Sequence, residues 1–354
     1  MGPLTGPPAD GTPTRGGSAG VFEDAGWFRV EEVTSAGSAR RAAAEAGRRL
    51  GFSETRLGEL SIAATELATN LARHAVDGRL LVRYLRRDGA GGVLLVAVDS
   101  GPGMVDLDAS GRDGHSTSGT LGIGLGAVRR LATRSDGYSL PGRGTVIAAE
   151  FWPAAPPAKA PGGADVDGVI RPITGEKVAG DALAVRHTAA GALLLVSDGL
   201  GHGPLAATAS AAAVEAFHGA PDGSPAAVVE HLHRRMSHTR GAAVAVAAVD
   251  RAAGTVRYAG LGNIAGVVVR PGERRPMVSL PGIAGHQRRT VREFEYPLPP
   301  GAAVVMHTDG LADRWRVEDY PGLLGHRAVV VAATLLRDAG VRRDDAGILV
   351  AAPS

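Results

Sequence analysis

Leu193-Leu-Leu-Val-Ser-Asp-Gly-Leu-Gly-His-Gly-Pro204 decides the fold of the second half of this chain. Leu193 to Val196 are apolar and lead through Ser197 to Asp198, which reads as a buried strand delivering a carboxylate to a sheet edge. Gly199, Gly201 and Gly203 then let backbone approach a bound ion closely. An acid followed by a glycine with an unobstructed carbonyl offers hard oxygen ligands, the kind magnesium or manganese takes. Met alone, the same stretch is also an ordinary glycine-rich turn after a strand.

The setting recurs on either side. Ala302-Ala-Val-Val-Met-His-Thr-Asp-Gly310 again places an apolar strand ahead of an Asp-Gly pair, and Arg343-Asp-Asp-Ala-Gly-Ile-Leu-Val350 places Asp344 and Asp345 just before a closing strand. Upstream, Gly180-Asp181 opens a further alternating run. Acids at strand termini can converge on one end of a sheet and hold a two-metal centre that activates water. In their order, Asp181, Asp198-Gly199 with Gly201-His202-Gly203, Asp309-Gly310 and Asp344-Asp345 resemble the motifs of SpoIIE-like PPM protein serine/threonine phosphatases, and the Asp-Gly-Leu-Gly-His-Gly wording is most similar to the RsbX-like branch. The resemblance implies metal ligation by Asp181, Asp198, Gly199, Asp309 and Asp344, with Asp198 catalytic. Where family members often carry a bulky aromatic after the first acid, this chain has Ala182-Leu183. His202 reads equally as a general acid and as a loop-ordering or water-holding residue.

The first half carries a different pattern. Trp27 to Val33 suits a strand; Ser38 caps a helix through Arg49 that Gly51 closes; Ser53 caps a second helix to about Ala75. On that helix Leu60, Ala64, Leu67, Leu71 and Ala75 form the apolar stripe, and Glu66 and Asn70 share its edge. Such a pair can orient a nucleophile and ligate magnesium, although taken alone it reads more readily as a solvated helix edge carrying two polar residues. Strands over Leu80 to Arg86 and Val93 to Asp99 follow a turn at Asp77-Gly78. The second releases Asp99-Ser-Gly-Pro-Gly103, an acid able to accept from an exocyclic amine, with Gly101 and Gly103 keeping the approach open for a flat base. Gly119-Thr-Leu-Gly-Ile-Gly-Leu-Gly126 then runs into a helix from about Leu125, the kind of glycine-rich helix start that presents N–H groups to phosphate.

Glu66-Leu-Ala-Thr-Asn70, Asp99-Ser-Gly-Pro-Gly103 and Gly122-Ile-Gly-Leu-Gly126 together resemble the N, G1 and G2 boxes of the GHKL ATP-binding superfamily. The span from Phe22 to Pro153 is similar in size and order to RsbT-like anti-sigma serine kinases. That likeness implies magnesium at Asn70, a base or water-orienting role for Glu66, adenine recognition by Asp99 with Gly101 and Gly103, and phosphate cover from Gly122, Gly124 and Gly126. No helical segment with a phospho-acceptor histidine precedes the domain, which argues against a sensor kinase.

Composition bounds the rest. A length of 354 residues suits two domains, and a net charge of +2 with interspersed signs lacks the basic stripe of a nucleic-acid binder. The absence of cysteine excludes disulfides and thiolate chemistry and suits a reducing cytoplasm. No apolar run approaches a membrane span and no signal peptide is legible, so the expectation is a cytoplasmic protein with neither nucleic-acid nor membrane partner; homo-oligomerisation is left open.

The expected architecture is α+β. It comprises a disordered tail over 1–20, a GHKL-type α/β sandwich with helices over a mixed sheet over 21–153, a mobile linker over 154–168, and a PPM-type αββα sandwich over 169–354. By resemblance, the first domain uses Mg-ATP to phosphorylate, and the second uses Mn²⁺ or Mg²⁺ to dephosphorylate, STAS-type anti-sigma antagonists in stress regulation. The alternative is a phosphatase whose ATP-binding half only holds a partner. The linker's Pro, Ala and Gly content predicts separable halves.

Overall fold

The computed structural model describes residues 19–32, 35–87, 89–107, 124–154, 165–287 and 290–353. Gly122 and most of the expected tail and linker lie outside the described residues.

Strands β1 (Ala19–Val21) and β2 (Glu23–Arg29) precede helices α1 (Ala36–Arg49) and α2 (Glu54–His74). Next come β3 (Arg79–Arg87), β4 (Ala90–Val98), α3 (Gly124–Leu131), β5 (Arg134–Leu140) and β6 (Gly144–Phe151). The sheet of this domain runs β2-β3-β4-β6-β5 and is antiparallel at every pairing, where a mixed sheet was expected. The connections explain it: β3 turns directly into β4, and β5 into β6, and such short links join only antiparallel neighbours. Ser53 Oγ caps α2 by accepting from Arg56 N, as its sequence predicts. Helix α1 begins instead at Ser35, and Ser38 lies in its first turn with its hydroxyl donating to Ser35 O.

The second domain contains β7 (Val166–Arg171), β8 (Asp181–Thr188), β9 (Gly191–Gly199), α4 (Pro204–His218), α5 (Pro225–Arg235), β10 (Ala242–Asp250), β11 (Thr255–Leu261) and β12 (Ala265–Arg270). It continues with β13 (Glu273–Met277), β14 (Ser279–Leu280), β15 (Phe294–Pro297), β16 (Ala303–His307), α6 (Ala328–Ala339) and β17 (Ala346–Ala351). One sheet runs β1-β8-β9-β10-β11-β14, with β15 also on β11; the other runs β13-β12-β16-β17-β7. Their facing residues, among them Leu194, Val196, Ala245, Val304 and Leu349, form the central core, while α4 and α5 cover the outer face of the first sheet. Strand β9 is thus central, and Asp198 stands near its C-terminal end rather than on an outer strand.

Two expectations about the domain boundary are corrected. Residues 19 and 20 are strand, not tail: Ala19–Val21 pairs with Arg186, Val185 and Ala184 of β8, and β2 pairs with β3, so one short segment stitches both domains. Nor are the halves free of one another. Helix α6 buries Ala328 through Leu336 without a break, because the second domain's outer sheet covers one side and the first domain's sheet the other. A helix apolar all round needs cover on every side. Trp27 Nε1 donates to Ile170 O at 2.6 Å, and Tyr138 OH to Pro321 O at 3.1 Å. Arg83, 1% exposed, bridges Asp24 of its own domain to Asp167 and the Gly168 carbonyl of the other. Burial pushes Asp167 up to about 6 against the opposing pull of Arg83. Each fully buried Val or Leu contributes roughly 1.5–3 kcal/mol. Stripping one sheet from α6 therefore removes an amount comparable to the roughly 5–15 kcal/mol net stability of a domain.

Candidate functional site

Register brings the acids together. Asp181 and Asp198 are directly paired across β8 and β9, and Gly199 N donates to Gly180 O at 3.1 Å. Because β16 and β17 are neighbours in the facing sheet, the segments flanking them carry Asp309 and Asp344-Asp345 to the same end of the sandwich. A Cβ at Gly310 would fall 1.7 Å from Asp345 O, and one at Gly199 2.2 Å from Ala206 O. The glycine after each acid is therefore required by close backbone packing, against the Asp345 segment in one case and the first turn of α4 in the other.

Each carboxylate has a distinct setting. Asp181 is buried, and its Oδ2 accepts from Thr308 Oγ1 at 2.7 Å; that hydroxyl accepts in turn from Gly347 N at 2.9 Å. Asp309 is exposed and its Oδ2 accepts from the Asn263 amide at 2.7 Å. Asp344 is exposed, with Oδ1 accepting from Asp345 N. Buried Asp345 is committed to the backbone, its two oxygens accepting from Ile173 N and Gly180 N, both at 2.7 Å.

These groups repel. Burial, then the Asp198 charge, drives Asp181 well above the ordinary carboxylate range. Burial, then Asp309 and Asp344, pushes Asp198 up to about 7, and burial followed by Asp309 raises Asp344. An all-oxygen donor set under such mutual repulsion fits a hard divalent cation in chemistry and charge. Among the described residues, however, no three His, Asp or Glu side chains are drawn together around one point as a preformed chelate. The bonds to Thr308 and Asn263 hold Asp181 and Asp309 in separate orientations. His202 is exposed, with Nδ1 3.7 Å from Glu176 Oε1.

The first domain gathers a second set. Glu66 and Asn70 lie on one edge of α2, and α3 starts directly over them: a Cβ at Gly124 would stand 2.8 Å from Glu66 Oε2 and 3.6 Å from Asn70 Nδ2. Gly126 is buried within α3. Asp99 leaves β4 with Oδ1 accepting from Gly101 N at 2.7 Å, and burial raises its carboxyl. The loop it starts docks on the end of α2, with Ser100 N donating to Val76 O and the Gly101 position 2.8 Å from His74 O. Gly103 turns away at φ +67°, its Cβ position 2.0 Å from Leu140 O, so a tight turn against β5 requires it.

Asn263 and Thr308 were missed as functional candidates. The Gly260-Leu-Gly-Asn263 turn resembles a Gly-Asn element common among SpoIIE-like PPM phosphatases, but its simpler reading is a loop between strands with no chemistry; Thr308 is marked only as the threonine preceding Asp309-Gly310.

Over 115 residues this chain is 35% identical to serine/threonine-protein kinase RsbT of Bacillus subtilis (strain 168), spanning 86% of that protein and 32% of this one. The chain belongs to the RsbT family. Within this RsbT-family chain, residues 30–150 match the histidine kinase-like ATPase domain and residues 188–351 match stage II sporulation protein E (SpoIIE). Solved structures similar to it include a bacterial stressosome chain, 26% identical with TM-score 0.48, covering 52% of this chain and 97% of that one. Another is RsbX in complex with magnesium, 21% identical with TM-score 0.45, covering 53% and 96%. The RsbT-family chain is thus an enzyme that joins a serine kinase-like ATPase domain to a SpoIIE-type PPM serine/threonine phosphatase domain. PPM phosphatases are generally metal-dependent. Among its described residues no helix is long and apolar enough to cross a membrane.

Proposed function

We propose that this chain carries opposed activities toward one class of regulator: Mg-ATP-dependent phosphorylation of serine or threonine on a STAS-type antagonist, and metal-dependent removal of such phosphates. The observation that carries the reading is the convergence of Asp181, Asp198, Asp309 and Asp344 at one end of the sandwich, where burial first and the neighbouring carboxylates second raise Asp181, Asp198 and Asp344 above the ordinary carboxylate range. Asp181, Asp198, Asp309, Asp344 and the Gly199 carbonyl would hold Mn²⁺ or Mg²⁺. When bound, the metal supplies an activated water and neutralises charge on the phosphoryl group. Thr308 orients Asp181, and Asn263 orients Asp309, by the bonds they donate. Asp345 positions the strand that enters Asp181 through Gly180 N.

In the first domain Asn70 would hold magnesium, and Glu66, four residues away on the same helix edge, would accept the hydroxyl proton of the attacking serine or threonine. Asp99, with Gly101, would take the adenine amine, and Gly124 and Gly126 would lie under the phosphates. The deciding experiment follows a phosphorylated STAS-domain protein with the full chain, with and without Mn²⁺ and with and without ATP. Metal-dependent loss of phosphate, and its return with ATP, are expected. Dephosphorylation indifferent to chelator would overturn the phosphatase assignment, and no ATP-driven return would reduce the first half to a binding module.

A further inference from the structure

Between the two domains lies a cavity of about 70 Å³ whose wall gathers four arginines: Arg79 at the start of β3, Arg171 at the end of β7, Arg337 on α6 and Arg342 just beyond it. Their carboxylate partners are too few. Asp77 is shared by Arg342 at 2.9 Å and Arg79 at 3.4 Å, with Arg29 3.9 Å away. Arg337 is taken by Asp338. Among the described residues no carboxylate stands within ion-pair distance of Arg171; its Nη2 donates to the Val341 carbonyl at 2.5 Å, leaving the rest of the guanidinium fork for other acceptors. The remaining acid in the wall, Asp99, already accepts from Gly101 N.

Burial, followed by the like charges of Arg79 and Arg342, holds Arg171 below the ordinary arginine range against the opposing pull of Asp77 and Asp345, and the wall itself sets four arginines against two aspartates, Asp77 and Asp99. Positive charges gathered in a half-closed cleft cost free energy unless an anion joins them, and a guanidinium fork matches a tetrahedral oxyanion in geometry. The volume suits such an ion in place of about two waters, each occupying about 30 Å³ in the liquid.

We infer that this inter-domain cavity is a binding site for a small phosphate-class oxyanion, held by Arg171 and Arg79 with Arg342 at its mouth. It shares one wall residue, Asp99, with the nucleotide set of the first domain; its arginines belong to neither set described above, and the inference does not rest on the roles of those sets. It is placed to be felt by the acids, because Arg171 and Arg342 hold Val341 and Asp77, and the segment between α6 and β17 that they fasten runs on to Asp344 and Asp345.

The test uses the full chain carrying Asp198→Asn, in EDTA, so that the acidic end of the sandwich offers a phosphate ion no metal. Inorganic phosphate is titrated by calorimetry at constant ionic strength set with chloride. Saturable binding is expected, weakened about tenfold or more by Arg171→Gln and by Arg79→Gln, the usual scale for a lost charge-assisted hydrogen bond. The two variants sit on different domains, so a folding failure in one leaves the other informative, and Arg171→Lys should recover only part of the affinity because it lacks the fork. Absence of saturable phosphate binding, or equal affinity in both glutamine variants and the parent, would overturn the site. An arm with ATP separates the sources: Arg171-dependent binding of ATP with none of inorganic phosphate would overturn the assignment to a free oxyanion.

Discussion

Asp136 of the first domain caps a helix of the second: its Oδ2 accepts from Arg327 N at 2.7 Å, while its Oδ1 is 2.9 Å from His326 Nδ1. Arg327 precedes α6, and Ala328 N finds its own acceptor in Asp165. The orphan N–H groups of that helix start are thus satisfied partly from across the domain boundary.

Removing this cap in Asp136→Ala should cost about 1–2 kcal/mol, measured by urea denaturation. Burial pushes Asp136 up, but His326 and the Arg327 N–H outweigh it and hold the carboxyl below its ordinary range. A depressed folded-state value gives stability that is present above the unfolded value and lost as pH falls through the folded one. The deficit of the variant should therefore shrink in strong acid, and a pH-independent difference would show that Asp136 acts by packing alone.

Arg83→Met should destabilise the chain by about 3–5 kcal/mol, because Asp24 and Asp167 would be left without their buried partner. Expressing 19–154 and 165–354 apart should yield a second half that aggregates, since α6 would lose the sheet formed by residues such as Leu94, Val96 and Val146. Sedimentation of the isolated piece checks this, and a monodisperse, fully active second half would refute the shared core.

Asn263→Ala should leave the fold intact and lower phosphatase turnover about 10- to 100-fold, the range found when a group orienting a metal ligand is lost. Raised metal should recover part of the rate. Steady-state kinetics across a Mn²⁺ series reads both effects, and unchanged kinetics would make the contact to Asp309 ornamental.

Asp198→Asn should abolish phosphatase activity yet stabilise the metal-free protein near neutral pH. Burial and the neighbouring acids raise Asp198 to about 7 in the fold, above its unfolded value, so the folded state binds more protons across that interval. Stability of the metal-free parent relative to the variant should rise as pH falls from about 7 towards about 4. Thermal melts in EDTA at stepped pH would show it; a variant less stable than the parent at neutral pH would contradict the repulsion.

Asn70→Ala should weaken magnesium-dependent ATP binding, whereas Glu66→Ala should spare binding and slow phosphotransfer about 100-fold or more. Gly124→Ala should resemble the second, as its methyl would displace the Glu66 carboxylate while the flexible side chain moves aside. Calorimetry and labelled-phosphate transfer separate these outcomes, and full transfer in Glu66→Ala would remove it as the base.

Local chemistry made much of this protein legible in its residues. Ser53 opened α2, Gly51 closed α1, and the apolar runs before Asp198 and Asp309 marked strands, because capping, positive φ and burial are satisfied within a few residues of each position. The acids and the Glu66–Asn70 pair carried their chemistry in residue type and order. Helix α6 escaped notice for a physical reason: Ala328 to Leu336 is buried on all sides and shows no amphipathic period. The unbroken run Val93 to Val98 in β4 held the same message, since a strand apolar on both faces must be covered twice. What supplies the second cover is a non-local matter. Only the tertiary structure decided that α6 lies between two sheets, that Asn263 meets Asp309 across 46 residues, and that the domains share a core, because such contacts depend on the distance between groups in space and leave no period or spacing along the chain.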